Sequence, residues 1–272
     1  MTVRLARDLG MPMIEEYARL FGVYDDMPHV LAMALGAGET TVMRLTAAYA
    51  TIANGGRKIT PTLIDRIQDR YGDTIYQHDE RLCQGCDQPV WSGQGIPSII
   101  DGRQQVLDPM TAYQINSMLQ GVVQRGTGTA VRSVGRPVAG KTGTTNDYKD
   151  AWFVGFTPEL AVGVYVGYDT PRNMGSDSTG GELAAPIFAD FVSAALEGVP
   201  PTQFSMPQGM HTDWIDPATG VEIVAGGSGV QEAFKPGTGP NLMTSVIGIN
   251  SAAFDNVQGG GMGQNFGVGG MF

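Results

Sequence analysis

Apolar residues recur at helical spacing in two segments near the start of the chain. In the first segment, the apolar positions one helical turn apart are Met13, Ile14, Tyr17, Leu20 and Phe21. Pro12 suits the first turn of this helix, and Gly22 suits its end. In the second segment, the apolar stripe is Val42, Leu45, Tyr49 and Ile52. Either Thr40 or Thr41 can cap that helix, which the Asn-Gly-Gly sequence at residues 54–56 ends.

Two further helices are predicted later in the chain. Asp108 and Pro109 supply an N-cap followed by a proline in the first turn. The predicted buried stripe of this helix is Ile115, Met118, Leu119 and Val122. The helix is expected to break at residues 125–128. Pro186 begins the last helix, whose predicted apolar face is Ile187, Phe188, Phe191, Val192 and Ala195.

Short β-like segments lie between these helices. Residues 63–67 and 74–76 flank a Gly-Asp turn at residues 72–73. Residues 79–107 have little periodicity and are predicted to form a loop-rich insertion. The strand-rich block that follows has three candidate strands, at residues 138–145, 152–156 and 160–166. The Thr-Pro-Glu sequence at residues 157–159 is predicted to join the last two as a hairpin turn.

The composition changes beyond about residue 200, where the Val-Pro-Pro sequence at residues 199–201 marks a natural boundary. Residues 1–200 are therefore predicted to form the folded domain. Residues 210–220 can fold locally, with Trp214 as a small anchor. The rest of a C-terminal extension over residues 201–272 is predicted to be largely disordered, and it is rich in glycine from about residue 225.

Bulk composition limits the class of protein. The 272 residues are 42% hydrophobic and 16% charged, which fits a folded core and excludes a wholly disordered chain. The formal charge of −10 argues against nucleic acid and anionic lipid as partners, because both bind basic surfaces. No apolar run is long enough to span a bilayer, and residues 1–8 lack the apolar core of a secretion signal. On these grounds alone the chain is expected in the cytosol.

The sequence has two cysteines, Cys83 and Cys86, in a C-x-x-C arrangement. Such a pair can form a redox site, half of a zinc site or a short disulfide. A structural zinc ion takes four ligands, and His78 is the only further candidate nearby. No strand-to-helix pattern places the pair at a helix start, as a thioredoxin-type site requires. A surface-loop disulfide or two free thiols is the favoured interpretation.

The chemically informative stretch is residues 139–145, which contains Lys141, Thr142 and Gly143. Lys-Thr-Gly is a signature of active-site serine acyltransferases. On an edge strand, a peptide can pair with the backbone, where the lysine supplies a cation and the glycine permits close approach. The hydroxyls of Thr142 and Thr144 suit a terminal carboxylate, and the N–H of Thr144 suits an oxyanion. An ordinary strand with an exposed lysine remains the alternative.

Five stretches in this order resemble class A penicillin-binding proteins, the bifunctional peptidoglycan synthases: residues 31–39, 47–56, 120–130, 140–145 and 150–158. The resemblance covers roughly residues 1–200. It implies the α+β fold of penicillin-binding proteins and β-lactamases, an antiparallel sheet flanked by helices, with the N-terminal part of the transpeptidase domain missing. It implies no metal and no organic cofactor.

The same resemblance implies a D,D-transpeptidase that cross-links peptidoglycan stem peptides ending in D-Ala-D-Ala and is trapped by β-lactam antibiotics. The implied catalytic residues are Lys141 and Thr144. The implied substrate-binding residues are Thr142, Gly143, Thr145, Gly126, Thr127 and Gly128. Asp147, Tyr148 and Asp150 are expected either to line the acceptor side or to form a plain loop. The Gly- and Ser-rich loop at residues 176–182 is expected to edge the cleft.

Two motifs of that family do not occur in these residues. No serine has lysine three positions later, and none has asparagine two positions later, so neither Ser-x-x-Lys nor Ser-x-Asn is present. The expectation is a truncated and inactive chain. The missing motifs, a membrane anchor and a glycosyltransferase domain would belong upstream of Met1, and the intact protein to the periplasmic face of the inner membrane. The alternatives are a non-catalytic interaction module of wall synthesis and a D,D-carboxypeptidase or β-lactamase relative.

Overall fold

The computed structural model describes residues 1–86, 90, 92–93, 95, 97–224 and 229–240. It divides the chain into two compact units, residues 1–207 and residues 208–272. The α-helices described in the first unit are α1 (Thr2–Leu9), α2 (Met11–Leu20), α3 (Val42–Ala53), α4 (Pro109–Arg125) and α5 (Ala185–Ala195). None of the helices within these described ranges is long and apolar enough to cross a membrane.

The strands of the first unit form one three-stranded sheet and two small hairpins. They are β1 (Arg66–Gln68), β2 (Thr74–Gln77), β3 (Leu82–Gln84), β4 (Ser98–Ile100), β5 (Ala139–Thr144), β6 (Asp150–Phe156) and β7 (Ala161–Gly167). The sheet has the order β5-β6-β7 and is antiparallel throughout, while β1 pairs with β2 and β3 with β4. Because β6 is central, β5 is an edge strand of the sheet.

The hairpin predicted at residues 157–159 is confirmed. Phe156 lies opposite Ala161 at the closing end of β6 and β7. The hydroxyl of Thr157 accepts hydrogen bonds from the N–H groups of Glu159 and Leu160 at 3.2 and 3.1 Å. A threonine at the first position of the turn therefore satisfies two backbone donors that the ladder leaves unpaired.

Helices cover both faces of the sheet. The rings of Phe153 in β6 and Phe188 in α5 pack with centroids 4.8 Å apart. Their cluster consists of Val123, Val131, Val138, Phe153, Ala184, Ala185, Phe188 and Val192. Phe156, three positions along β6, points to the opposite face and packs on Tyr49 of α3 at 6.5 Å. The sheet that carries β5 is consequently buried between α3 and α5.

The predicted helix boundary signals are confirmed. Thr41, not Thr40, caps α3 by accepting the N–H of Arg44 at 3.1 Å. Asp108 caps α4 by accepting the N–H of Thr111 at 2.9 Å. Gly22 follows α2 with a φ of +76°, a left-handed backbone that glycine adopts without a steric penalty.

The predicted buried faces of α4 and α5 are partly wrong. Met118 is 60% exposed, whereas the polar Asn116 is only 5% exposed. Ile187 and Phe191 are exposed, and the buried face of α5 consists of Ala185, Phe188, Ala189 and Val192. The stripes predicted for α4 and α5 are wider than one helix face. They therefore include residues whose side chains point about 100° away from the direction of the core. Small residues at the contact bring these helices closer to the sheet than the larger apolar ones would allow.

The second unit contains a two-stranded antiparallel ribbon, β8 (His211–Ile215) with β9 (Val230–Phe234). Trp214, the predicted local anchor, lies on β8 opposite Gln231. Most of the predicted glycine-rich extension, residues 225–228 and 241–272, lies outside the described residues. Within that extension, residues 230–234 nevertheless form a strand.

Candidate active site

The Lys-Thr-Gly sequence lies on β5, the edge strand of the sheet. Lys141 is opposite Val154 and Gly143 is opposite Trp152, so β6 holds the motif along its whole length. Among the described residues, no strand pairs with the other side of β5. An unpaired edge presents backbone donors and acceptors to which an extended peptide can add as a further strand.

The N–H of Thr144 points to this unpaired edge. Backbone hydrogen bonds of an antiparallel ladder alternate, so successive residues direct their N–H groups to opposite sides. The N–H of Thr145 donates to the carbonyl oxygen of Asp150 at 3.2 Å, on the side of β6. The N–H of Thr144, one residue earlier in the same ladder, therefore faces away from β6. A donor in this position is available to the carbonyl oxygen of a ligand.

Lys141 bends back along its own strand. Its ammonium group donates to the carbonyl oxygen of Thr142 at 2.9 Å and lies 3.5 Å from the hydroxyl of the same residue. Burial lowers the pKa of Lys141 below the ordinary lysine value of 10.5. Across the described part of the chain, no carboxylate forms an ion pair with it. Lys141 is thus a cation whose charge the protein leaves uncompensated, beside an open strand edge.

The turn after α4 meets the motif. The hydroxyls of Thr127 and Thr142 lie 2.6 Å apart, within hydrogen-bond distance. The N–H groups of Gly126 and Gly128 both donate to the carbonyl oxygen of Val122 at 3.1 Å, which ends the helix and fixes the turn. The structure therefore brings the predicted turn and the predicted strand together, 15 residues apart in sequence.

The glycines of this region allow close packing. A Cβ on Gly128 would lie 3.3 Å from the ring of Phe153, and one on Gly143 would lie 3.1 Å from the Cβ of Trp152. A Cβ on Gly126 would lie 2.9 Å from the carbonyl oxygen of Val122. Each position is tighter than ordinary van der Waals contact, so a larger residue at Gly128 would push the turn away from β6, one at Gly126 would disturb the end of α4, and one at Gly143 would strain the β5–β6 pairing.

Thr145 is placed differently from the other predicted site residues. Its hydroxyl accepts the N–H of Asp150 at 2.9 Å, and its own N–H donates to the same residue. These bonds close the connection between β5 and β6. In the structure the Thr145 hydroxyl serves this turn.

The connection itself contains two residues in left-handed backbone conformation. Asp147 has a φ of 62° and Tyr148 a φ of 51°, which is uncommon for residues with a Cβ. Two hydrogen bonds hold it: Asn173 Nδ2 donates to the Asp147 carbonyl at 2.6 Å, and the N–H of Met174 donates to the Tyr148 carbonyl at 3.0 Å. Residues 147–150 therefore form a fixed loop, tied to the segment that precedes α5.

One contact at this site was not predicted from the sequence. The N–H of Gly180 donates to the Thr144 hydroxyl at 3.0 Å. Gly180 begins a π-helical turn, Gly180–Ala184, that continues into α5. The loop at residues 176–182, which was expected to edge the cleft, contains Gly180. The Gly-Gly pair before Pro186 is the sequence feature that could have indicated a close contact here.

A separate cavity lies elsewhere among the described residues. It has a volume of about 670 Å³, and its lining includes Lys58, His78, Arg81 and Arg103, with no residue of β5. The edge of β5, by contrast, is a groove that is open to solvent on one side. We take the candidate active site to be the edge of β5, because the reactive groups converge there.

Comparison with known proteins agrees with the family that the sequence resembles. Residues 2–193 match the family described as the penicillin binding protein transpeptidase domain. The chain is 44% identical over 239 residues to penicillin-binding protein 1A of Rickettsia bellii, covering 86% of this chain and 30% of that protein. It is 39% identical over 211 residues to penicillin-binding protein 1A of Neisseria lactamica, covering 77% of this chain and 24% of that protein.

Solved structures give the same result for the fold. Penicillin-binding protein 1A from Haemophilus influenzae superposes with a TM-score of 0.71 at 31% identity, over 88% of this chain and 38% of that one. PonA1 from Mycobacterium tuberculosis, in complex with penicillin V, superposes with a TM-score of 0.58 at 22% identity, over 76% of this chain and 56% of that one. The chain spans about a third of the length of its curated relatives. Within that span, it belongs to the transpeptidase domain family of the penicillin-binding proteins.

Proposed function

We propose that this chain supplies one wall of a penicillin-sensitive D,D-transpeptidase site that cross-links peptidoglycan stem peptides. The observation that carries the proposal is the convergence on one unpaired strand edge of Lys141, the Thr127–Thr142 hydroxyl pair and the outward N–H of Thr144. This set offers a cation, hydroxyls and a backbone donor, the groups that an acyl donor with a terminal carboxylate requires.

The proposed binding mode follows from these groups. A stem peptide ending in D-Ala-D-Ala adds to the edge of β5, and the hydroxyls of Thr142 and Thr144 hold its terminal carboxylate near Lys141. The carbonyl of the penultimate residue accepts a hydrogen bond from the N–H of Thr144. As negative charge develops on that oxygen, the bond strengthens, which lowers the barrier to acyl transfer. β-Lactams bear a carboxylate and a strained amide in the same relation.

The proposed chemistry needs a serine from outside these 272 residues, because no Ser-x-x-Lys sequence occurs within them. The serine oxygen attacks the amide carbon, its proton passes to a base and from there to the leaving nitrogen, and the amide bond breaks to release D-Ala. An ester joins the donor peptide to the serine. The amine of a second stem peptide then attacks that ester, forms the cross-link and returns the serine. In this proposal Lys141 assists the proton transfers, and the lowering of its pKa by burial supports that role.

The wider setting is part of the same proposal. β-Lactams are the expected inhibitors, which the penicillin V complex of the solved PonA1 relative supports. The net charge of −10 supports a role without nucleic acid. Stem peptides are assembled into the wall outside the cytoplasmic membrane, so the site is proposed to act at the periplasmic face of the inner membrane.

The test uses a fluorescent penicillin and two proteins. One is the isolated chain. The other, called the fusion, is penicillin-binding protein 1A of Rickettsia bellii in which this chain replaces the 239 residues that match it. We expect covalent labelling of the fusion and none of the isolated chain. Lys141→Ala in the fusion should slow labelling by roughly 100-fold or more, whereas Lys58→Ala, at the distant cavity, should leave the rate unchanged.

Two results would refute the proposal: covalent labelling of the isolated chain, or a fusion whose labelling does not depend on Lys141. Products from stem peptides separate the neighbouring activities of the family. Cross-linked dimers indicate transpeptidation, whereas release of D-Ala without dimers indicates a carboxypeptidase.

A further inference from the structure

We infer that Gly180 is a positioning residue for ligand recognition, whose backbone N–H sets the Thr144 hydroxyl as a hydrogen-bond donor to the carboxylate of the bound ligand. The inference rests on the proposed function and adds to it. It identifies a residue, 36 positions from Thr144, that determines how the site distinguishes a free carboxylate from a neutral group.

A threonine hydroxyl has one hydrogen to donate and lone pairs with which to accept. Thr144 Oγ1 accepts the N–H of Gly180 at 3.0 Å, which fixes the oxygen and leaves its hydrogen directed elsewhere. No acceptor for that hydrogen is recorded among the residues that the structure describes. The exposed side chain of Thr144 thus presents a free O–H in a fixed orientation.

Close packing against β5 and β6 requires glycine at position 180. A Cβ there would lie 2.3 Å from the carbonyl oxygen of Trp152 and 2.5 Å from that of Gly143. Gly180 therefore rests directly on the backbone of the β5–β6 ladder. Any side chain would force the segment away from the sheet and lengthen the bond to Thr144. The close approach that glycine permits is what brings its N–H within reach of the hydroxyl.

Hydrogen bonds of the preceding residues hold Gly180 itself in place. Thr179 caps the turn by accepting the N–H of Glu182 at 3.2 Å. The hydroxyl of Ser178, which is 8% exposed, donates to the carbonyl oxygen of Met174 at 2.8 Å. Met174 is in turn bonded to Tyr148 in the β5–β6 connection. The donor and the acceptor of the Gly180–Thr144 bond are therefore anchored to the same part of the sheet.

The consequence is selectivity for charge on the ligand. A donor aimed at a carboxylate forms a charge-assisted hydrogen bond that a neutral ester cannot match. Without the contact to Gly180, the Thr144 hydroxyl can rotate and form its hydrogen bonds with water instead. Loss of the Gly180 contact should therefore weaken the preference for a free acid by roughly tenfold and affect a neutral analogue much less.

The experiment measures second-order acylation rates of the fusion protein with a penicillin and with its methyl ester. Gly180→Ala and Thr144→Val should each lower the acid-to-ester rate ratio by roughly tenfold, and the double variant should lower it no further. Thr144→Ser, which keeps the hydroxyl, should preserve the ratio. Gly155→Ala is the matched control, because its Cβ would lie 2.8 Å from the Ala139 carbonyl at the far end of the same ladder.

The outcomes separate the two proposals. If the unmodified fusion reacts with neither compound, the proposed function fails. If it reacts, and Gly180→Ala lowers both rates alike as Gly155→Ala does, the inference is overturned while the function stands. Should Gly180→Ala not fold, replacing Gly180 by glycolic acid removes the N–H without adding an atom, and an unchanged rate ratio in that variant also overturns the inference.

Discussion

The β5–β6–β7 sheet and the segment between α3 and α4 are stabilised in opposite ways. This segment, residues 54–108, is wider than the loop-rich insertion predicted at residues 79–107 and is called the insertion from here on. In the sheet region, the side chains of Phe153, Phe156 and Phe188 are fully buried. In the insertion, which carries β1 to β4, the apolar side chains of Ile75 and Leu82 are 68% and 69% exposed. The strands of the insertion are three or four residues long, too short to bury a face of their own.

In place of apolar packing, hydrogen bonds, ion pairs and a disulfide stabilise the insertion. Just before β3 and just after β4, at the open end of their hairpin, an Asp-x-Arg sequence closes on itself. Asp79 accepts the backbone N–H and the guanidinium of Arg81 at 3.1 and 2.8 Å, and Asp101 accepts the same groups of Arg103 at 3.1 and 2.8 Å. Cys83 and Cys86 form a disulfide within the hairpin, as the favoured interpretation of the sequence allowed. The sheet region is therefore stabilised by apolar packing and the insertion by polar contacts, some between residues two apart and some, such as Arg57 with Asp101, between distant ones.

The largest effect is expected from removing an aromatic ring of the sheet region. Phe153→Ala should lower the free energy of unfolding by about 3–5 kcal/mol, because it leaves a cavity against Phe188 and under Gly128. Ile75→Ala on β2 is the control and should cost less than about 0.5 kcal/mol. Urea denaturation of the fusion protein measures both. Equal losses would break the comparison, since they would mean that the insertion is packed as tightly as the sheet.

A smaller effect is expected from the disulfide. The bond spans only three positions, so the loop that it closes is short, and Cys83→Ser should cost at most about 2 kcal/mol. The loss should be confined to the insertion. Hydrogen exchange should therefore quicken in β4 and stay unchanged in β6, with Ser193→Ala on α5 as a neutral control. Faster exchange in β6 would show that the two regions unfold together, and so contradict the comparison.

The two regions also differ in how much the sequence predicts. The edge strand and its hairpin follow from local signals: an apolar run in β6, a Thr-Pro-Glu turn and the Lys-Thr-Gly sequence itself. The Gly180–Thr144 bond joins positions 36 apart, and no local pattern encodes such a distance. Phe191 illustrates a further limit. An apolar residue beside a helix stripe carries no mark of which side the sheet occupies, so its exposure was not predicted.

The Asp79–Arg81 and Asp101–Arg103 contacts of the insertion, which we call the hooks, are equally hard to predict from the sequence. Asp101 and Arg103 are ordinary surface types, and only the backbone conformation between them turns the pair into a closed contact. Burial patterns therefore predict the sheet region better than the insertion, because apolar periodicity reports packing and says nothing of bonds between charged near neighbours.

The smallest effect is expected from acid, and it concerns the hooks alone. Hydrogen bonds from Arg81 lower the pKa of Asp79 from 3.8 to about 2, and those from Arg103 lower the pKa of Asp101 further. A carboxyl whose pKa is lowered by folding stabilises the folded state above its unfolded pKa, and the contribution fades as the pH falls through the folded value.

The contribution of the hooks to stability should therefore be complete at pH 5, fade from about pH 4 downward and be lost for Asp79 below about pH 2, with Asp101 persisting to lower pH. Carboxyl carbon shifts in NMR spectra of the fusion protein report the titration directly. Arg81→Gln should return the pKa of Asp79 toward 3.8 while leaving that of Asp101 low, because each carboxylate is held chiefly by its own arginine. If both aspartates titrated together after this single change, the two hooks would form one network, and the stability of the insertion would not be local.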